Sequence, residues 1–131
     1  MSEGLYPVYG GNGLRGYTST FNHDGFFVLI GRQGALCGNI NIAEGKSYIT
    51  EHAIAVQANT ENVTGFFQYL LLNMNLVQYS DQSAQPGLAV NKLLKLRINL
   101  PSNEEQQKIA TMLSLLDARI ATQNNIITTV C

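Results

Sequence analysis

The sequence predicts an α+β fold: one strongly twisted, mainly β domain with a single packed helix, then a C-terminal helix of coiled-coil type. Three observations predict it. Residues 1 to about 60 carry short β-type runs punctuated by glycine. An amphipathic stripe with helical spacing follows over residues 61–75. From about residue 103 a capped heptad repeat runs to the end of the chain.

The β-type runs are "FFVLIG", "LCGNINIA" and "AIAVQ", and Asn39, Ile40, Asn41 and Ile42 alternate as a strand with one wet face does. Glycines at 31, 34, 38 and 45 mark turns or bulges between them. In the helix, Val63, Phe66, Phe67, Leu70, Leu71 and Met74 share one face, with Thr60 placed to cap it. That stripe suits a core helix packed on the sheet. A polar loop, "QYSDQSAQPGL", leads to "LLKLRINLP", whose end is expected to be a short strand stopped by Pro101. Ser102 and Glu105 then form an S-x-x-E capping box. Beyond it Ile109, Leu113, Leu116, Ile120, Gln123, Ile127 and Val130 recur in steps of four and three. Such a seam needs a partner to cover it. The division is therefore residues 1–101 for the mixed domain and 102–131 for the helix.

Composition narrows the function classes. At 131 residues the chain holds one domain of ordinary size, and 45% apolar against 13% charged residues indicates a packed core. A net charge of −1 and a pI of about 6.0 give no global basic field for nucleic acid or anionic lipid. Cys37 and Cys131 make no disulfide framework, so a reducing cytoplasm is the expected compartment. The opening "MSEGLYPVYG" lacks the basic and apolar regions of a signal peptide, and "YLLL" is far too short to span a bilayer.

The conspicuous motifs fail their context tests. Gly11, Gly13 and Gly16 spell G-x-G-x-x-G, but a dinucleotide turn must follow a buried strand and open into a helix. Here "YTSTFNHDG" follows, which starts no helix. "EGKS" ends like a phosphate loop, yet the first glycine such a loop needs is replaced by Ile40. His23, Cys37 and His52 have no ligand spacing; Cys37 is expected in an apolar strand and His52 in structural hydrogen bonds at a strand start. Neither catalysis, nor a cofactor, nor a metal is indicated. What remains is a turn-rich surface dense in amide, hydroxyl and guanidinium groups: Asn12, Arg15, Tyr17, Arg32, Gln33, Asn39, Asn41, Gln82 and Gln85, with Lys46 at a further turn. Asn and Gln grip adenine through a paired donor and acceptor, and Arg grips guanine.

Two stretches taken together are more specific. "YPVYGGNGLRGYTSTFNHDGFFVLIGRQGALCGNINIAEGKSYITEHAIAV" and "SAQPGLAVNKLLKLRINLPSNEEQQKIATMLSLLDARI" closely resemble the specificity subunit of type I restriction–modification systems. The first is similar to a target recognition domain, with its "YGGNG" turn, "FVLIGRQG" strand, "GNI" and T-x-HA. The second is similar to that domain's exit, with a Q-P-G-L turn, an "LP" end and an "EQQKIA" helix start. The likeness covers about residues 6 to 120, one recognition domain and part of one spacer helix.

The resemblance implies a non-enzymatic, cytoplasmic reader of double-stranded DNA. Its globular part would dock on one half of a bipartite target. The following helix would set the half-site spacing, self-associate or pack, and hold adenine methyltransferase subunits and through them the restriction subunit. The candidate DNA-contacting residues are then Asn12, Arg15, Tyr17, Arg32, Gln33, Lys46, Gln82 and Gln85, with Ile109, Leu113, Leu116, Ile120 and Ile127 facing the partner helix. Arg15 and Arg32 are expected on one face with Asn12, Tyr17 and Gln85. Alternatives are the specificity part of a fused restriction–methylation enzyme, or a structural dimerisation module that binds no DNA.

Overall fold

The computed structural model describes residues 4–32, 37–80 and 88–130, with 124–130 described by backbone alone. Seven strands come first: β1 (Tyr6–Gly10), β2 (Gly13–Thr18), β3 (His23–Asp24), β4 (Phe27–Gly31), β5 (Ile40–Ala43), β6 (Lys46–Ile49) and β7 (Ala53–Val56). Helices α1 (Thr64–Met74), α2 (Val90–Leu94) and α3 (Asn103–Val130) follow, with a 3₁₀ turn at Leu76–Tyr79 after α1. The strands form two sheets, ordered β2-β1-β6-β3 and β5-β4-β7. All described pairings are antiparallel except β1 with β6, where Val8 meets Tyr48 and Tyr9 meets Ile49.

β4 explains the layering. Its run FVLIG is apolar throughout, and Val28, Leu29 and Ile30 are all buried. A strand with both faces covered reads as a continuous apolar run rather than an alternation. Leu29 packs with Ala43, Ile49 and Ala53, near Tyr9 of the other sheet. Ile30, next along the strand and so on the opposite face, packs with Leu76 and Leu88, with Leu71 and Met74 of α1 at the edge of that cluster. The helical layer thus covers one face of the three-stranded sheet, and the four-stranded sheet covers the other.

The helix expected over 61–75 begins later, at Thr64, and Thr60 does not cap it. Asn59 is the reason. Its side chain accepts from the Glu61 amide at 3.2 Å and from Asn62 Nδ2 at 2.7 Å, closing a turn that occupies residues 59–62. The short strand expected at the end of "LLKLRINLP" is also absent among the described residues. Leu93 and Leu96 reach the core at helical spacing from the turn of α2, and Ile98 and Leu100 stay exposed outside either sheet. Cys37 is buried, as a small thiol should be, but sits in a turn rather than a strand.

α3 starts at Asn103, where the Ser102 hydroxyl accepts from the Glu105 amide at 3.3 Å. Its first turns lie against α1. A β-carbon on Gly65 would stand 3.9 Å from Ala110 Cβ, and Tyr69 donates to Asp117 at 2.8 Å. The central contact is Gln106, only 1% exposed. Its Oε1 accepts from the Val63 amide at 2.9 Å, and its Nε2 donates to Asn62 Oδ1 at 2.8 Å and to the Pro101 carbonyl at 3.0 Å. Val63 is the N-cap of α1, a position with no side-chain cap of its own. A residue of one helix therefore satisfies an orphan donor at the start of another.

The Tyr69 hydroxyl has its pKa raised, first by burial and then by its hydrogen bond to Asp117. The raised value means that this clasp contributes fully below the ordinary tyrosine pKa and is lost as pH climbs through the folded one. Replacing Gln106 by Leu strands buried polar groups, so it should cost about 1–3 kcal/mol. Urea unfolding will show that loss as a lower midpoint at unchanged slope, and Gln106→Glu, which sets a buried carboxylate against the Asn62 and Pro101 oxygens, should cost at least as much.

Candidate nucleic-acid interface

The glycine motif is a strand–turn–strand. β1 and β2 pair from Tyr6–Thr18 to Gly10–Gly13, leaving Gly11 and Asn12 as a two-residue tip. Gly13 has φ +104°, open to glycine and strained for any other residue. The tip is pressed against the second sheet. A β-carbon on Gly11 would come within 3.0 Å of the His52 carbonyl oxygen. That same oxygen accepts from the Arg32 amide at 3.1 Å. Asn39 Nδ2 donates to Asn12 Oδ1 at 3.0 Å, and Asn41 Oδ1 lies 3.2 Å from the missing β-carbon of Gly13. Three asparagines from two sheets thus gather at one hairpin tip.

Beside the tip runs an open groove. The β1–β2 register shifts between Val8 and Tyr9, which leaves Arg15 without an opposite residue. Such a bulge re-aims the side chain it carries. The Arg15 stem passes over Gly10, where a β-carbon would stand 2.6 Å from Arg15 Cδ. Arg15 then lines the groove with Asn22, His23, Tyr48, Glu51 and His52. Part of its lining is a braced turn: the Thr50 amide donates to the Tyr9 carbonyl at 2.9 Å and the Ala53 amide to the Thr50 carbonyl at 3.2 Å. Asn22 braces its start, donating to the Ile49 carbonyl at 2.9 Å and accepting from the Ile49 amide at 2.8 Å.

The residues singled out by sequence therefore separate. Asn12 and Arg15 sit at the tip and its groove, and Arg32, half-buried, is held beside them by its amide on the His52 carbonyl. The Leu88 amide donates to the Arg32 carbonyl at 2.7 Å. Tyr17 is exposed on β2 opposite Pro7, back from the tip. Lys46 opens β6 at its other end, with its Nζ 5.1 Å from the centre of the Phe21 ring. Gln33, Gln82 and Gln85 lie outside the described residues. Asn22, His23, Tyr48, Glu51 and His52 carried no sequence signal for this groove, because the β1–β6 and β3–β6 pairings bring them to Arg15.

The heptad seam divides as well. Ile109 and Leu113 are half-buried on the side of α3 that carries Gln106, Ala110 and Asp117 to α1. Leu116 and Ile120 are 49% and 58% exposed, and Met112 and Leu115 beside them are 56% and 61% exposed. The Ile127 side chain lies outside the described ones. Among the described residues no group of three or more His, Cys, Asp or Glu could hold a metal ion, and no helix is long and apolar enough to cross a membrane.

Comparison with known proteins gives concordant matches. The family model for the type I restriction modification DNA specificity domain matches residues 2–130. The chain is 49% identical over 113 residues to the EcoprrI type I restriction enzyme specificity subunit of Escherichia coli, covering 86% of this chain and 28% of that protein. It is 30% identical over 119 residues to a Haemophilus influenzae protein named as a type I restriction enzyme specificity subunit, covering 88% of this chain and 31% of that one. The chain thus spans about a third, or less, of the length of these curated relatives. In structure it is similar to the type I restriction–modification S subunit of M. genitalium, with a TM-score of 0.77 over 93% of this chain and 34% of that one, at 23% identity.

The hairpin tip supplies its own test. Gly13→Ala forces a side chain into a left-handed backbone beside Asn41, and should lower stability by about 1–3 kcal/mol. Asn12→Ala, which removes one exposed hydrogen bond, should cost less than that in the same urea titration.

Proposed function

The chain belongs to the family of type I restriction modification DNA specificity domains, and on that premise we propose that it reads one half of a bipartite DNA target. In this reading residues 1–101 are the reader and residues 102–131 the spacer that carries subunit contacts. The family match across residues 2–130 is the observation that carries it. The hairpin tip supports where the reading face lies. Backbone approaches closely there because Gly10, Gly11 and Gly13 lack β-carbons, and amide and guanidinium groups surround it. These are the donors and acceptors that base edges match. The near-neutral charge is consistent with a division of labour, in which partner subunits supply phosphate contacts and this domain discriminates bases. The chain itself performs no catalysis in this reading; methylation belongs to modification subunits docked through the spacer, and cleavage to a restriction subunit beyond them.

The test is DNA binding by the complex assembled with methyltransferase subunits, across a salt series. Arg15→Ala or Arg32→Ala should cost about 1–3 kcal/mol and relax preference at one base pair each. Lys46→Ala should weaken all sequences alike and flatten the salt slope by about one unit. Unchanged affinity and preference in both arginine variants would place the reading face elsewhere.

The division of the seam makes a second test. Leu115→Asp with Leu116→Asp should abolish association through α3 while the fold survives, since both residues are exposed. Leu113→Asp should instead destabilise the fold against α1. Sedimentation for association and urea unfolding for stability separate the two effects.

A further inference from the structure

We infer that Arg15 and Glu51 together form a reader for a single G·C base pair, an assignment that rests on the DNA-reading function proposed above. The groove beside the hairpin tip is lined by Arg15 of β2 and by Glu51 and His52 of the turn after β6, with β1 between those two strands in the sheet. Both Arg15 and Glu51 are exposed. Each is presented by backbone that is locally fixed. Arg15 is the unopposed residue of a bulge and lies over Gly10, which has no β-carbon to push it away. Glu51 sits between Thr50 and Ala53, whose amides are bonded to the Tyr9 and Thr50 carbonyls. The turn is further tied by the His52 amide, which donates to Thr50 Oγ1 at 3.4 Å, and by the His52 carbonyl, which accepts from Arg32.

The chemistry of the pair selects its ligand. A carboxylate facing a phosphate-rich surface is repelled, and it is useful there only if a base offers it a proton donor. In the major groove cytosine offers N4–H₂, while guanine offers two acceptors, O6 and N7, to an arginine. A donor fork and a carboxylate lining one groove complement the two halves of that pair. An A·T pair places an acceptor oxygen and a methyl group at the thymine, which a carboxylate cannot use. Glu51 is then a specificity-determining residue that rejects the wrong pair as much as it holds the right one.

The experiment selects randomised duplexes with the full complex, comparing the native chain with Arg15→Ala, Glu51→Ala and Glu51→Gln. The native complex should require G·C at one position, and both alanine variants should relax that same position by about tenfold or more. Glu51→Gln should shift its preference toward adenine, which glutamine grips through N6 and N7. A uniform gain in affinity for every sequence in Glu51→Ala would mean mere repulsion and would overturn the assignment. So would relaxation at two different positions, or no change in preference. A native complex that binds DNA with no sequence preference would instead refute the reading function itself.

Discussion

Gln106 is the constraint on which the rest of the architecture depends. α1 begins without a side-chain cap, which leaves the part-buried Val63 amide at its start in need of a partner. Gln106 meets it from α3, while its own amide nitrogen is held by Asn62 and the Pro101 carbonyl. A glutamine that is 1% exposed loses its hydration entirely, so it is tolerable only because these three bonds replace it. The result is directional as well as stabilising. Apolar contact between two helices permits sliding and rotation, whereas a residue bonded at both ends of its amide fixes α3 in one register on α1. Tyr69 and Asp117 repeat the constraint further along. Anything docked on the exposed stripe of α3 is thereby placed at a set distance from the hairpin tip.

How much of this was legible in the sequence depends on how local each cause is. β4, β5 and β7 were visible because their apolar or alternating residues stand in unbroken runs. β1, β2 and β6 were not, since glycine and exposed side chains dilute them: β2 reads GLRGYT with only Gly13 buried. The α3 start was visible from Ser102, a cap acting over three residues. The α1 start was misplaced because Asn59 captures residues 59–62 before a helix can form. The heptad seam could not announce that part of it turns toward α1, because that choice is made by Gln106, which reads in sequence as one more polar residue. At the candidate site the glycine turn and Arg15 could be singled out. Tyr48, Glu51 and His52 could not, because they reach Arg15 through a parallel strand pairing that leaves no local trace.

The two sheets serve different ends. The three-stranded sheet is buried against helices on one side and strands on the other, and β4 places Val28, Leu29 and Ile30 in the core. The four-stranded sheet is thinner in apolar residues and carries its polar groups outward at Arg15, Tyr17 and Tyr48. Apolar core and polar surface are thus separated by layer. At the hairpin tip Gly11 lies against the His52 carbonyl and the Gly31 backbone, while Asn12 and Gly13 meet Asn39 and Asn41, so the exposed side chains of Asn12 and Arg15 can be exchanged without repacking the apolar residues of β4.

The strand order β2-β1-β6-β3 also governs how the chain is made. As synthesis proceeds, the β1–β2 hairpin can close at once, because only two residues separate its strands. Its other edge stays open until Lys46–Ile49 emerges and slots in beside Val8 and Tyr9. During that interval β1 has an unpaired edge, a template for pairing with a neighbouring polypeptide. β6 is therefore the strand that covers this edge of β1, and the Asn22 side chain, bonded to both backbone groups of Ile49, helps hold it there.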